Sequence, residues 1–240
     1  VTRTGTQLDS NSRGVSEALL RDDDVRVWRV PLDRSVAEVS ELATLLSDDE
    51  RVRAARFVHA DVRRRFVVAR ASLRTILAGE LDRDAAAIRF SYGEHGRPFI
   101  DDVQLSFNLS HSNELAIVGV TQGGIVGVDV EALRDDADIE LLARESFCES
   151  ERQGLLRLRT ESRRAAFFAT WTRKEAYLKA LGTGFAISSR TFEVTVDPFE
   201  APRLLTSAIG KGTPDRCKLA TFWPSEPYVA SLAVLPVLSL

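Results

Sequence analysis

Cysteine and histidine are scarce in this chain of 240 residues, which has two cysteines, Cys148 and Cys217, and three histidines. No C-x-x-C spacing occurs and the histidines are scattered, which excludes a thiolate–imidazole zinc cluster. Two cysteines can make one bridge at most, and free thiols in a cytoplasmic protein are the expectation. Long apolar runs are missing too. None reaches the roughly 18 residues that a bilayer crossing needs. The opening Val1-Thr2-Arg3-Thr4-Gly5 starts a polar stretch without the apolar core of a signal peptide. No membrane partner is therefore expected. A strong charge of either sign is also lacking: the net charge is −3 and the isoelectric point is near 5.8, which argues against a protein that coats nucleic acid. Lysine is rare, occurring at 174, 179, 211 and 218, and arginine supplies the other basic residues.

What is present is an ordinary globular composition, 44% apolar and 28% charged, in a chain long enough for one large domain or two small ones. Residues 1–24 are polar and end in Asp22-Asp23-Asp24; a flexible tail with a short helical turn near 16–20 is expected there. The alternation over 25–30, closed by Pro31, predicts a strand, and helices follow over 35–46 and from Ser47 to about Gly79. A strand near 88–91 leads to the turn Gly93-Glu94-His95-Gly96-Arg97-Pro98, and three β-like runs cover 103–110, 114–121 and 125–131. Gln122-Gly123-Gly124 between the last two reads as a hairpin signal. The second half predicts helices at 138–146, 149–159 and 162–181, closed by Gly182-Thr183-Gly184, and strands near 191–196, 217–223 and 227–234. The fold class is α+β: two similar subdomains, 25–123 and 124–240, without a repeat visible in the sequence.

Asp129 and Glu131 stand two apart on a strand, so their side chains share a face about 7 Å apart, with Val128 and Val130 turned to the core. Trp171, Glu175 and Lys179 stand at i, i+4 and i+8 on one face of a helix. Taken singly, Asp-Val-Glu at a strand end is most often a solvated edge, and Glu175 with Lys179 is a common surface ion pair. Brought together, the three carboxylates suit magnesium, which takes a few carboxylates with phosphate and water. His111, near the end of a strand, is able to contact a phosphate, and the hydroxyl of Ser110 beside it to donate a second bond.

Three segments, Phe107-Asn108-Leu109-Ser110-His111-Ser112, Gly127-Val128-Asp129-Val130-Glu131 and Trp171-Thr172-Arg173-Lys174-Glu175, resemble in order and separation the motifs of the Sfp-type (surfactin-type) 4′-phosphopantetheinyl transferases. The resemblance covers roughly residues 25–235. It implies two pseudo-symmetric halves, each an antiparallel sheet packed on helices, with the active site in the cleft between them. It further implies transfer of the phosphopantetheine arm of coenzyme A to a serine of an apo carrier protein, fatty-acid, polyketide or nonribosomal-peptide in type; a cleft completed within one chain favours a monomer. Asp129, Glu131 and Glu175 would hold Mg²⁺, Glu175 would act as base and Lys179 would meet the leaving phosphate. Ser110, His111, Arg97 and Pro98 would meet coenzyme A, and Arg53 and Arg56, ahead of Phe57, its 3′-phosphate. Glu50 departs from relatives with a basic residue there, and Glu151 stands where relatives often carry an acid near the site. Leu133, Arg134, Phe147 and Leu155 are expected to dock the carrier protein. Two rival readings remain: a serine hydrolase built on Ser110, His111 and Asp129, for which no G-x-S-x-G elbow exists, and a non-catalytic binding module.

Overall fold

The computed structural model describes residues 17–22, 25–182, 186–208 and 213–237. The first half runs β1 (Glu17–Asp22), β2 (Val25–Pro31), α1 (Val36–Ala43), α2 (Asp48–Ala55), α3 (Ala60–Leu81), two short strands β3 (Ser91–Tyr92) and β4 (Pro98–Phe99), then β5 (Ser106–Ser112) and β6 (Leu115–Thr121). The second half runs β7 (Ile125–Ala132), α4 (Ile139–Ser146), α5 (Glu149–Arg157), α6 (Thr160–Leu181), β8 (Phe192–Val194), β9 (Leu204–Ser207), β10 (Lys218–Ser225) and β11 (Tyr228–Leu235).

The two main sheets are antiparallel, with strand orders β1-β2-β6-β5 and β10-β11-β7. Strands β2, β6 and β5 of the first half correspond to β7, β11 and β10 of the second, and α3 and α6, 22 residues each, are the long helices of the two halves. The fold is thus α+β with two pseudo-symmetric halves.

Several expectations are corrected. Residues 17–22 form a strand, not part of a helical turn, because the outer edge of β2 offers them a ladder. The rest of the tail, 1–16 and 23–24, lies outside the described residues, as do Thr183 and Gly184. The helical stretch from Ser47 is two helices, broken between Arg56 and His59. Gln122-Gly123-Gly124 is no hairpin. Both edges of β6 are taken, by β2 and β5, so the chain crosses to the other sheet and β7 pairs with β11. A Cβ on Gly124 would lie 2.4 Å from the carbonyl oxygen of Leu235, which shows how tightly the crossing is packed. Strand β9 has no counterpart among the predicted elements.

The repeat that the sequence hides is visible as a pair of buried ion pairs. Glu50 and Glu151 each stand at the third position of a helix whose N-terminal capping box they complete. Each meets a buried cation on the fifteenth residue of the long helix: Arg74 Nε donates to Glu50 at 2.7 Å, and Lys174 Nζ to both oxygens of Glu151 at 2.6 and 2.7 Å. Each cation also donates to a carbonyl, Ile88 or Phe192, and lies over a phenylalanine ring, Phe90 or Phe192. Position and role repeat while the basic residue changes, which is why no repeat appears in the letters. Glu50 is thereby explained as an internal structural acid, and so is Glu151, which does not reach the cleft.

Between the sheets, β5 meets β7 through side chains. Ser106 Oγ, Asn108 Oδ1 and Ser112 Oγ accept from the backbone N–H groups of Val126, Val128 and Ala132 at 3.0, 2.9 and 3.2 Å. The alternate polar residues of β5 therefore satisfy the edge of β7 that no strand covers.

Candidate active site

Strand β7 presents Asp129 and Glu131 on the face turned to β5, while Val128 and Val130 are buried in the core behind them. It can lie directly on α6 because residue 127 is glycine: a Cβ there would stand 2.1 Å from the Ala176 carbonyl oxygen and 2.4 Å from the Ala180 nitrogen. That close approach brings the acids of the strand to the Trp171, Glu175 and Lys179 face of the helix.

These residues line one cavity of about 630 Å³ at the junction of the halves. Its walls include Asp129 and Glu131 from β7, Trp171, Glu175, Leu178 and Lys179 from α6, Asn108 from β5, and Gly96, Arg97 and Pro98 from the β3–β4 turn. The ring of Trp171 is backed by that of Phe167 at 5.9 Å. Ser146 and Ser189 form part of the opposite wall, joined by a bond from Ser189 Oγ to the Ser146 carbonyl at 2.8 Å.

The site is an excess of carboxyl groups in a partly dry place. Burial raises the Asp129 carboxyl above the ordinary value, against the pull of Lys179. Burial, then the neighbouring Asp129, raises Glu131; burial, then Asp129, with a smaller push from Glu131, raises Glu175. Lys179 Nζ donates to Asp129 Oδ1 at 2.6 Å and to Ser110 Oγ at 2.8 Å, and Ser110 donates to the same Oδ1 at 2.9 Å. Ser112 donates to Glu131 at 2.9 Å. As these side chains stand, no group of three or more His, Cys, Asp or Glu among the described residues has the geometry of a metal site. Yet Asp129 Oδ2 is buried without a partner, an oxygen in need of a cation or donor.

The other expected ligands are spread more widely. Ser110 is buried under Asp129 and Lys179 and does not line the cavity. His111 lies on the opposite face, at the surface; the surrounding protein, then Lys179 and Arg65, hold its imidazole below the usual value. Arg53 and Arg56 line a separate hollow of about 540 Å³ with Asp49, Glu50, Phe66, Arg70 and Tyr92. Arg97 and Pro98 are in the main cavity, but Nη1 of Arg97 donates to the Lys179 carbonyl and Nη2 to Ser106 Oγ and the Phe107 and Val126 carbonyls. The expectation of a nucleotide-facing guanidinium is corrected to that extent. Phe147 and Leu155 are 0% and 5% exposed and belong to the core under α6, so they dock nothing; Leu133 is half-buried and Arg134 exposed.

A hydrolase triad is not formed. Ser110 is bonded to Asp129 and Lys179, and His111, next in an extended strand, faces away from it. Sequence reasoning missed Asn108, Ser146, Leu178, Ile187 and Ser189 on the cavity wall. Asn108 was within reach, since it shares a strand face with Ser110, whereas Ile187 and Ser189 lie in a connection whose path only the fold sets. Among the described residues no helix is long and apolar enough to cross a membrane.

The family model of the 4′-phosphopantetheinyl transferase superfamily matches residues 125–233, and that of the N-terminal part of 4′-phosphopantetheinyl transferases matches 32–122. The chain is 40% identical over 219 residues to the 4′-phosphopantetheinyl transferase HetI of Nostoc sp. (strain PCC 7120), covering 90% of this chain and 89% of that protein. It is 31% identical over 173 residues to psf-1 of Bacillus pumilus, 70% and 72% of the two chains. It is 26% identical over 173 residues to Sfp of Bacillus subtilis, 71% and 76%. Both bear the same enzyme name.

Proposed function

The chain belongs to the 4′-phosphopantetheinyl transferase superfamily, enzymes that transfer the phosphopantetheine arm of coenzyme A to a carrier-protein serine, and we propose that it does so with magnesium held by Asp129, Glu131 and Glu175. The observation that carries this is the buried, unpartnered Asp129 Oδ2, with Asp129, Glu131, Glu175 and Lys179 lining one cavity. That donor set fits a hard divalent cation. Bound there, magnesium would supply positive charge to offset that of the coenzyme A diphosphate.

The rest follows from the chain's own groups. The hydroxyl oxygen of the carrier serine bonds to the β-phosphorus, the bond from that phosphorus to the bridging oxygen breaks, and adenosine 3′,5′-bisphosphate leaves. Glu175, on the cavity wall beside Lys179, accepts the serine proton. Lys179 neutralises the leaving phosphate, and such charge neutralisation with positioning supplies most of the acceleration in phosphoryl transfer. Pro98 packs on the nucleotide, while His111, Arg53 and Arg56 receive its phosphates. The free thiols of Cys148 and Cys217 fit a cytoplasmic protein, and a cavity lined by a single chain fits a monomer.

The test is intact-mass analysis of a panel of apo carrier proteins incubated with coenzyme A. Magnesium should produce the phosphopantetheine mass increment and chelator should abolish it, and Asp129→Asn or Glu175→Gln should lose it with the fold retained. Undiminished transfer in chelator, or by either variant at saturating magnesium, overturns the metal assignment.

A further inference from the structure

We infer that Arg97 is a positioning residue: it clamps the catalytic helix of the second half onto the first, and its guanidinium is not a direct phosphate ligand. It is carried on the turn between β3 and β4, where Gly96, at φ +75°, allows the chain to reverse and the Gly93 N–H closes on the Arg97 carbonyl at 3.0 Å. From there the side chain crosses to three elements. It bonds Ser106 and the Phe107 carbonyl on β5, the Val126 carbonyl on β7 at 2.7 Å, and the Lys179 carbonyl in the last turn of α6. The last carbonyls of a helix lack helical donors and lie at its negative end, where a cation is favourable. Among the described residues, the helix's own cap gives Lys179 O a 3.2 Å contact from the Gly182 N–H. A cation from the first half therefore finishes the C-terminus of the helix that carries Glu175 and Lys179.

All of the acceptors are neutral, and no carboxylate among the described residues pairs with Arg97, although burial pulls its pKa down. The geometry needs a planar fork. A lysine keeps the charge but concentrates its donors on one atom, which cannot span β5, β7 and α6 together. Charge and clamp are thus separable by one substitution, the reverse of what a phosphate ligand predicts, since a lysine serves well as a point charge for phosphate.

The experiment compares the full chain with Arg97→Lys and Arg97→Gln. Hydrogen exchange of amides 178–182 should accelerate by about tenfold or more in both variants while α3 stays protected. In Arg97→Lys, kcat for phosphopantetheine transfer should fall on the order of tenfold. Its affinity for the probe adenosine 3′,5′-bisphosphate, measured by calorimetry, should stay within about threefold. Arg97→Gln should leave that affinity in the same range, because the partners of the guanidinium are protein oxygens, and a much larger loss in Arg97→Gln than in Arg97→Lys would make it a phosphate ligand. Exchange at 178–182 unchanged in Arg97→Lys, or probe affinity lost at intact kcat, overturns the clamp. The turnover arm rests on the transferase reading. If the wild-type protein transfers nothing, that reading fails, and the exchange arm still decides the clamp.

Discussion

Replacing Lys174 by methionine separates a structural lysine from a catalytic one in the very motif that carries the site. Lys174 is 2% exposed and Glu151 0%, so no water can replace the ammonium when it goes. Glu151 would keep two backbone donors, Cys148 N–H at 3.0 Å and Val194 N–H at 2.9 Å, and lose the one counter-ion it has among the described residues. Breaking a buried pair from one side costs about 3–5 kcal/mol. The two remaining donors place Lys174→Met near the lower end, about 3 kcal/mol, or a Tm lower by roughly 6–12 °C for a chain of this size. Glu151→Leu should be worse, about 5 kcal/mol, because it orphans both backbone donors and leaves an ammonium with only the Phe192 carbonyl and aromatic rings. The double variant Glu151→Gln/Lys174→Met keeps a neutral acceptor for those N–H groups and should recover to within about 2 kcal/mol of the wild type, a coupling that a double-mutant cycle reads directly. Urea unfolding followed by tryptophan fluorescence measures these variants together with Glu151→Gln alone, which closes the cycle. A loss below about 1 kcal/mol for Lys174→Met, or strictly additive effects, would refute the claim that this pair is a closed buried unit.

Gly127→Ala should abolish transfer and lower Tm, since its Cβ would collide with α6 backbone and drive β7 off the helix; normal activity would show that the strand can shift without moving the acids. The raised carboxyls of Asp129, Glu131 and Glu175 give the chelated protein stability that is present below the unfolded carboxylate pKa values and lost as pH rises through the folded ones. Magnesium should therefore raise Tm more at about pH 7.5 than at about pH 5, as differential scanning fluorimetry would read; an equal rise at both would detach the metal from these acids. His111→Ala with Arg53→Ala should weaken coenzyme A more than 3′-dephospho-coenzyme A by calorimetry, and equal losses would assign the pair to another role.

The sequence by itself determined the local geometry of the acids. Period two on β7 places Asp129 with Glu131, and period 3.6 on α6 places Trp171, Glu175 and Lys179 together, because those spacings are backbone properties that hold before any tertiary contact forms. It also carried the alternation of the α and β segments, and hence the α+β class. What it could not carry was the pairing of segments distant in the chain. The turn signal at Gln122-Gly123-Gly124 is real, but whether it closes a hairpin or a crossing between sheets depends on the edges of β6 being filled already. Lys174 and Glu175 are neighbours in one motif, yet one helical step of about 100° sends the lysine into the core and leaves the glutamate on the cavity wall. The sequence assigns Arg97 to the nucleotide end of coenzyme A and Arg53 to its 3′-phosphate. Only the tertiary structure, in which the β3–β4 turn lines the main cavity and Tyr92 of β3 lines the arginine hollow, gave the first its carbonyl partners and left the second in a separate hollow, because burial and hydrogen-bond partners are set by what packs across a gap and not by what precedes it in the chain.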